Sequence, residues 1–302
     1  MKNGSRTAGV LGAAVLAAGL LPGTAMGTPS TTSAQCRVSL GSVSATGDHQ
    51  WQEVIATSPP TNGAPAVVIS DLYPDGQVRL STTMVQEPTP GGLRVHGHVV
   101  IGSALYTTGY DSLIPESVSV HRIGGGWGSF IALAESRYLA DRGGVPRTND
   151  YGLRDDGVLF RWTRDGYGGG WRNRVSAPGF AAVKTMVLIS KTATYDTFLA
   201  TTKGGALYPS HIPTSAPMKP VVKKVRSSSW QGFESLVAEK CGNQGTLLVG
   251  IDKDTKTAYM YAVGHAAGTS TVIRGLGKVP GSFDVPVYFR WATLDFDYLF
   301  GE

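Results

Sequence analysis

The sequence predicts an all-β protein built from repeated sheet modules, and three observations lead to this prediction. Gly accounts for 40 of the 302 residues and 17 Pro are scattered along the chain, which indicates many tight turns. Short alternating or β-branched runs recur between those turns, and convincing helical periodicity is absent from the mature chain. The third observation is self-similarity at a period of roughly 50 residues, which is typical of a β-propeller.

The composition excludes several other classes of protein. Charged residues make up 16% of the chain, against roughly 25% in an ordinary globular protein. Disorder, coiled coil and highly charged tails are therefore excluded. The Pro and Gly residues follow no three-residue period, which excludes collagen. A chain of this length supports a large core, and we expect one domain after processing.

The first 27 residues have the layout of a secretory signal peptide. Lys2 and Arg6 precede an apolar stretch from Ala8 to Leu21, and a small-residue pattern follows at Ala25-Met26-Gly27. Fourteen apolar residues are too few to cross a bilayer core of about 30 Å. We therefore expect a released, extracellular protein with no membrane insertion, a flexible N-terminus over 28–35, and one domain over 36–302.

Removal of the signal peptide leaves 25 basic and 22 acidic groups, a net charge of only +3. This weak excess gives no reason to expect a specific nucleic-acid partner. Cys36 and Cys241 are the two cysteines of the chain. In an oxidising compartment an even pair predicts a disulfide, with two buried free thiols as the alternative.

Four aromatic anchors mark the repeat: Phe130, Phe180, Phe233 and Phe283, spaced by 50, 53 and 50 residues. A second marker follows the first three anchors, at Val158-Leu159-Phe160, Ala206-Leu207-Tyr208 and Ala258-Tyr259-Met260-Tyr261. Extending the same spacing toward the N-terminus places a degenerate anchor near Leu80. The second marker of that unit is Ala104-Leu105-Tyr106. Four complete units therefore begin near residues 80, 130, 180 and 233.

Each unit contains four strand-like runs. In the unit from Phe180 they are 182–189, 197–201, 206–208 and 221–225. The two ends of the chain predict a further unit that they share. Runs 52–56 and 66–70 suit its third and fourth strands, and runs 285–290 and 294–300 suit its first two. Five blades are expected, and a sixth stays open because Val38 to Ala45 is another candidate strand.

The repeat head Gly-Gly-Trp-x-x-Phe, followed by Asp-Gly-x-Leu-Tyr/Phe, resembles that of the tachylectin-like five-bladed β-propeller lectins. The match is best over residues 124–262. It is intact at Trp127 to Phe130, substituted at Trp230 to Phe233, and lacks its Trp before Phe180. The resemblance implies pockets for N-acetylated amino sugars between neighbouring blades, one per repeat, without metal or cofactor.

A sugar site needs an aromatic face for the apolar side of the ring, and amides or carboxylates for its hydroxyl and acetamido groups. We expect Trp127, Trp171 and Trp230 to supply the aromatic faces. The candidate polar partners are Asn149, Asp150, Asp155 and Asp156. Two alternatives stay open: a Trp repeated once per blade packs one sheet on the next, and Asp155 and Asp156 serve as turn residues before Gly157.

Other chemistry has weaker support. His96 and His98 share one face of a strand, a geometry that can hold a metal, but no third ligand is evident, so we expect no metal site. Residues 252–257 lack the glycine and glutamate of a calcium loop and read as a hairpin connection. Eight Arg between Arg137 and Arg174, interleaved with aromatics, can form a site for an anionic polymer or a solvated surface.

No nucleophile elbow or metalloprotease motif occurs, so we expect no catalytic residues and no cofactor. The leading hypothesis is a secreted, non-enzymatic propeller that recognises amino-sugar glycans of a cell wall or cell surface through several weak sites. The alternatives are a glycosidase or lyase on a propeller scaffold, and a protein-binding scaffold.

Overall fold

The computed structural model describes residues 35–90, 92–139, 146–165, 170–294 and 297–302. The expected signal peptide lies outside the described residues. In the described part of the chain, helical conformation is confined to the 3₁₀ turn Gly268–Ser270 and to Leu294. No helix there has the length and apolar character needed to span a membrane. The protein is therefore all-β, as the sequence predicts.

The strands are, in chain order, β1 Arg37–Val43, β2 His49–Ile55, β3 Thr61–Asn62, β4 Ala66–Ile69, β5 Val78–Ser81, β6 Met84–Thr89, β7 Gly92–Ile101, β8 Ala104–Asp111, β9 Ile114–Gly125, β10 Phe130–Tyr138, β11 Arg147–Arg154, β12 Leu159–Arg164, β13 Trp171–Ala177, β14 Val183–Lys191, β15 Tyr195–Thr202, β16 Leu207–Pro213, β17 Val221–Val222, β18 Ser235–Cys241, β19 Gly245–Asp252, β20 Thr257–Val263, β21 Ile273–Val279 and β22 Val287–Thr293.

The strands group into five antiparallel modules. Modules 2, 3 and 4 are separate four-stranded sheets, β10–β13, β14–β17 and β18–β21. Module 1 consists of β5 and β6, which pair with the same strand β7, followed by β8 and β9. Module 5 consists of β22, β1, β2 and the pair β3 and β4. A parallel pairing of β22 with β6 joins modules 5 and 1 into one ten-stranded sheet.

The first strands of the modules contact one another in a cycle. β5 contacts β10, β10 contacts β14, β14 contacts β18, and β18 contacts β22, which in turn contacts β5 and β6. A cavity of about 240 Å³ is lined by residues from all five of these first strands, from Arg79 in module 1 to Arg290 in module 5. The five modules are therefore arranged around a common space.

The second strands show why each module needs two neighbours. β11, β15 and β19 share one burial pattern, with six consecutive buried residues between two half-buried ends. Such a strand is covered on both faces, as happens when a sheet is stacked between two others. The apolar residues of β15, including Phe198 and Leu199, consequently contribute to two different core clusters.

Tight turns end the second strands of modules 2 and 3 at matching positions. Gly157 has a φ of +82° and Gly205 a φ of +87°. A Cβ atom at Gly157 would lie 2.1 Å from the backbone nitrogen of Ala181, so the turn and the close approach of the next module both require glycine. The run 252–257 likewise connects β19 to β20, as the sequence predicts.

Both ends of the chain contribute strands to module 5, but the number of strands from each end differs from the one we expected. β22 is its first strand and β1 is its second, whereas run 294–300 was expected in second place. That expectation was wrong, because Phe300 instead makes an isolated bridge to Ser190 of module 3. The candidate strand from Val38 to Ala45 is β1 itself. The predicted disulfide between Cys36 and Cys241 is present and links modules 5 and 4.

Candidate functional site

A cleft of about 460 Å³ opens between modules 1 and 2. Module 1 contributes residues of β6, β7, β8 and β9, and module 2 contributes residues of β10, β12 and β13. Its walls combine charged side chains with imidazole, indole, hydroxyl and apolar groups. The lining residues are Glu87, Arg94, His96, His98, Thr107, Ile123, Glu135, Arg137, Arg164 and Trp171. We refer to this space as the 1/2 cleft.

Among the described residues of the cleft wall, Trp171 supplies the indole ring. It begins β13 opposite Arg164 and is half-buried. Its ring meets that of His98 edge-on at 6.0 Å and lies 4.8 Å and 5.5 Å from the rings of Trp162 and Trp127. The indole is thus held in place by other aromatic rings while part of its surface stays accessible.

A buried group of charged side chains lies next to the cleft. Arg164 bridges two carboxylates: its Nε binds Asp150 Oδ2 at 2.5 Å, and its Nη2 binds Glu135 Oε2. The other oxygen of Glu135 accepts from Arg137 Nη2 at 2.5 Å. Burial of both carboxylates would be costly without these partners, since an unpaired charge in the interior costs several kcal/mol.

His98 completes the group. Its Nδ1 lies 3.5 Å from Glu135 Oε2 and 3.8 Å from Asp150 Oδ1. We refer to His98, Glu135 and Asp150 as the buried triad. All three are at most 7% exposed, and one ligand atom from each lies within 4.8 Å of the others.

The two carboxyls of the triad have pKa values shifted in opposite directions. Burial would raise the pKa of Glu135, but Arg137, His98 and Arg164 outweigh it and hold the pKa well below its usual range. Burial raises the pKa of Asp150 to about 6, helped by repulsion from Glu135 and opposed by His98 and Arg164. One carboxyl is thereby kept ionised while its neighbour holds a proton more readily.

The rim of the cleft is more exposed than the triad. His96 Nε2 lies 3.8 Å from Glu87 Oε1, and Arg94 is exposed. Burial, followed by the charge of Arg137, lowers the pKa of His96 to about 4. His96 is therefore neutral at pH 7.

Other groups cross the remaining four seams between neighbouring modules. At the 2/3 seam Asp196 accepts hydrogen bonds from Ser136, Arg147 and Tyr151, the last at 2.6 Å. At the 3/4 seam the segment 299–302 inserts, with the nitrogen of Gly301 donating to the oxygen of Ile189 at 2.8 Å.

Module 5 closes its two seams by different means. The 4/5 seam carries the disulfide and the Arg290 to Glu239 ion pair at 2.7 Å. At the 5/1 seam the buried side chain of His49 bonds Tyr110 Oη at 2.7 Å. The seams are thus chemically unlike one another, although the modules repeat.

The structure brings together only part of the predicted sugar site. Trp171 lines the 1/2 cleft, and Asp150 belongs to the triad whose His98 and Glu135 also line it. Asn149 is not brought to the cleft, since its side chain donates to Asp196 Oδ2 of module 3 at 3.3 Å. Trp127 and Trp230 are each 6% exposed and pack on Phe130 and Phe233. Their role in binding stays a prediction, and packing accounts for their present contacts.

Asp155 and Asp156 lie at the other end of β12 from Trp171. They form the exposed turn before Gly157, where Asp156 pairs with Arg154. Their turn role matches the alternative weighed from the sequence, and the structure does not bring them to the cleft.

Three described arginines of the arginine-rich stretch are buried and do not contribute to a basic surface. Arg161 is buried and donates to the carbonyls of Pro213, Thr214 and Ser215. Arg137 and Arg164 are likewise buried against carboxylates. Internal pairing therefore replaces the solvated surface or polyanion site that the sequence left open for these residues.

Sequence reasoning missed Glu135, Arg137 and Arg164 as parts of the site. Glu135 and Arg137 are two residues apart in β10, so they project to one face. This spacing was a usable signal, but nothing in the sequence indicates that the face meets His98 of the preceding module.

No known family model matches this chain, and no curated protein does. Solved structures with similar shape include the catalytic domain of a GH62 α-L-arabinofuranosidase from Coprinopsis cinerea, at 15% identity and a TM-score of 0.46, covering 66% of this chain and 68% of that one. SapL1 lectin, solved with α-methyl fucoside, is 11% identical with a TM-score of 0.43 and covers 79% of each chain.

The fucose-specific lectin from Aleuria aurantia is 12% identical, with a TM-score of 0.42, covering 79% of this chain and 77% of that one. At these values the similarity identifies no family.

Proposed function

We propose that this protein binds carbohydrate in the 1/2 cleft. The observation that carries the proposal is the combination of a half-buried indole, Trp171, with charged and hydrogen-bonding groups in a concave space of about 460 Å³. Sugars are recognised by an aromatic ring under their apolar face and by fixed polar groups around their hydroxyls. Both kinds of group are present on the walls of this cleft.

The charge of the site favours an uncharged saccharide. Among the described residues of the site, Arg94, Arg137 and Arg164 balance Glu87, Glu135 and the adjacent Asp150, three charges against three. His96 adds no charge at neutral pH, because burial lowers its pKa to about 4. An N-acetylated amino sugar is neutral and carries an amide for the polar groups, so we propose this class, presented on a cell wall or cell surface.

The scaffold we propose is a closed, five-bladed β-propeller, exported and cleaved after residue 27, with one blade shared by both ends of the chain. The cyclic contacts among the first strands support closure. The disulfide between modules 4 and 5 fits an oxidising, extracellular location. We propose one principal cleft in place of several equal ones, since different side chains cross the other four seams.

A glycan array on the chain from residue 28, followed by calorimetry on the best ligand, tests the proposal. The variant Trp171→Ala should bind at least tenfold more weakly, because truncation of an aromatic anchor costs about 2 kcal/mol or more. Trp51→Ala is the matched control: Trp51 is also half-buried, but it lies in β2 of module 5. Its affinity should equal that of the wild type.

Two results would refute this function: no glycan bound at any concentration, or equal loss of affinity in both tryptophan variants. Binding that disappears when salt is raised would favour an anionic polymer in place of a neutral sugar.

A second candidate function is hydrolysis of a polysaccharide. It is favoured by Glu135 and Asp150, neighbouring carboxyls whose pKa values lie on opposite sides of the usual range, a pattern shared by acid and base pairs in glycosidases. Asp150 is fully buried, which makes binding the better-supported function. Release of reducing ends from a bound glycan over time, abolished by Glu135→Gln, would establish hydrolysis instead.

A further inference from the structure

The buried triad holds two polar atoms that lack the hydrogen bonds expected of buried groups. Within the part of the chain that the structure describes, Asp150 Oδ1 has no hydrogen-bond partner, and His98 Nδ1 has only its long 3.5 Å contact with Glu135 Oε2. The two atoms face each other at 3.8 Å, and the residues are 5% and 0% exposed. A buried polar atom without a partner costs about 1–3 kcal/mol, so a partner for both atoms would stabilise the site.

The spacing of the three donor atoms suits a metal ion. Zn²⁺ binds imidazole nitrogen and carboxylate oxygen at about 2.0–2.2 Å in tetrahedral geometry, which places its ligands roughly 3.3–3.6 Å apart. His98 Nδ1 lies 3.5 Å from Glu135 Oε2 and 3.8 Å from Asp150 Oδ1. Only small side-chain adjustments would bring all three atoms to bonding distance of one ion.

The surrounding arginines are placed to orient the ligands. Arg164 Nε holds the far oxygen of Asp150, Oδ2, and Arg137 Nη2 holds the far oxygen of Glu135, Oε1. Metal-binding carboxylates are commonly held in this way by outer hydrogen bonds. Arg164 Nη2 also donates to Glu135 Oε2, which leaves a second lone pair of that oxygen for the ion.

Charge limits the affinity of such a site. The two guanidinium groups already neutralise the two carboxylates, so a divalent ion adds uncompensated positive charge to the interior. His98 and Glu135 line the 1/2 cleft, where water or an anionic or hydroxyl group could complete the coordination. An open fourth position of this kind is characteristic of functional rather than structural zinc sites.

We propose that His98, Glu135 and Asp150 bind a divalent transition-metal ion, of the zinc and cobalt type, at the floor of the 1/2 cleft. The nitrogen and oxygen donor set favours these ions over Ca²⁺ and Mg²⁺, which take oxygen ligands in larger number. The sequence contained one of the necessary signals, His98, which it paired with His96 on one strand face, but the carboxylates come from the next module. The inference does not depend on sugar binding.

The experiment titrates Co²⁺ and Zn²⁺ into metal-free protein with the expected signal peptide removed. Calorimetry should show one ion per chain, and bound Co²⁺ should give the strong visible absorption of a low-coordinate site. His98→Gln should weaken binding at least about tenfold, since loss of even an outer partner of a ligand costs about 10- to 100-fold. His121→Gln, an exposed histidine outside the cleft, is the control and should bind as the wild type does.

Two results would overturn the proposal: no stoichiometric binding of Zn²⁺ or Co²⁺ to the wild type, or unchanged affinity in His98→Gln. If the variant does not fold, X-ray absorption of the wild-type zinc complex decides. One imidazole nitrogen with carboxylate oxygens is expected there, and a shell with several imidazoles would refute the site. Sugar retention measured in excess chelator keeps this result separate from the proposed carbohydrate function.

Discussion

Acidification should destabilise the protein through His49, a histidine buried at the 5/1 seam. The side chain is 0% exposed and stacks on Trp291, with ring centroids 4.9 Å apart. Its Nδ1 bonds Tyr110 Oη at 2.7 Å. Burial disfavours the imidazolium and lowers the pKa of His49 to about 3.

The sign follows from the direction of this shift. Because the folded-state pKa is depressed, the unfolded chain binds the proton more readily below pH 6.5. Stability from neutral His49 is therefore fully present above about pH 6.5 and is lost as the pH falls toward 3. At pH 5 the linkage relation gives a loss of about 2 kcal/mol relative to pH 7, rising to about 4 kcal/mol at pH 3.

Urea unfolding at pH 7, 6 and 5 measures this effect when the wild type is compared with His49→Gln, which cannot titrate. Other groups, including His96, contribute equally to both proteins and cancel in the difference. The wild type should lose about 2 kcal/mol more than the variant between pH 7 and pH 5. Equal losses, or an imidazole of His49 that titrates above pH 5 by NMR, would refute this reasoning.

Three further perturbations test the seams. Serine at both Cys36 and Cys241 opens a loop with a sequence separation of 205 residues and should lower the unfolding free energy by about 5 kcal/mol in the chain-entropy model; an unchanged urea midpoint would contradict it. Asp196→Ala leaves Arg147 and its neighbours without their acceptor and should cost about 3–5 kcal/mol by the same assay; a cost below 1 kcal/mol would show that Asp196 does not hold the seam. Gly301→Ala puts a Cβ atom 2.9 Å from the carbonyl of Ile189 and should cost about 1–3 kcal/mol, visible as a lower melting temperature; an unchanged melting temperature would show that the 3/4 seam has room to adjust.

Much of the fold could be predicted from local patterns. In module 3 the predicted runs 182–189 and 197–201 correspond to β14 and β15, because alternation and turn glycines report directly on strand and hairpin geometry. Local patterns could not predict which strands of module 5 come from the N-terminal end of the chain and which come from the C-terminal end. Run 294–300 has strand-like residues, but its Leu299 and Phe300 pair with Lys191 and Ser190 of another module, and no local pattern encodes that choice.

The candidate site was harder to predict, because it is made where two modules meet. Trp171 was predicted from its residue type, since an indole suits a sugar whatever its surroundings, and its contact with sugar stays a prediction. The triad combines His98 from β7 with Glu135 from β10 and Asp150 from β11. The sequence named Asp150 as a polar partner and His98 as a residue that can hold a metal, but it did not indicate that the two meet Glu135. Their relation depends on which faces of two sheets oppose each other, a long-range property.

The seams also explain why the repeat is so degenerate in sequence. If every seam were filled by the same residues, the same side chains would recur at a period of roughly 50 residues. Here a carboxylate network, an inserted segment, a disulfide and a buried histidine fill four seams differently. Only the packing positions, such as Phe130 and Phe233, need to repeat, because each must fit the same stacked geometry. The seam that contains the 1/2 cleft differs again. Its charged groups neutralise one another, and a partly accessible indole lies beside them. This combination leaves surface on the cleft wall available for a ligand.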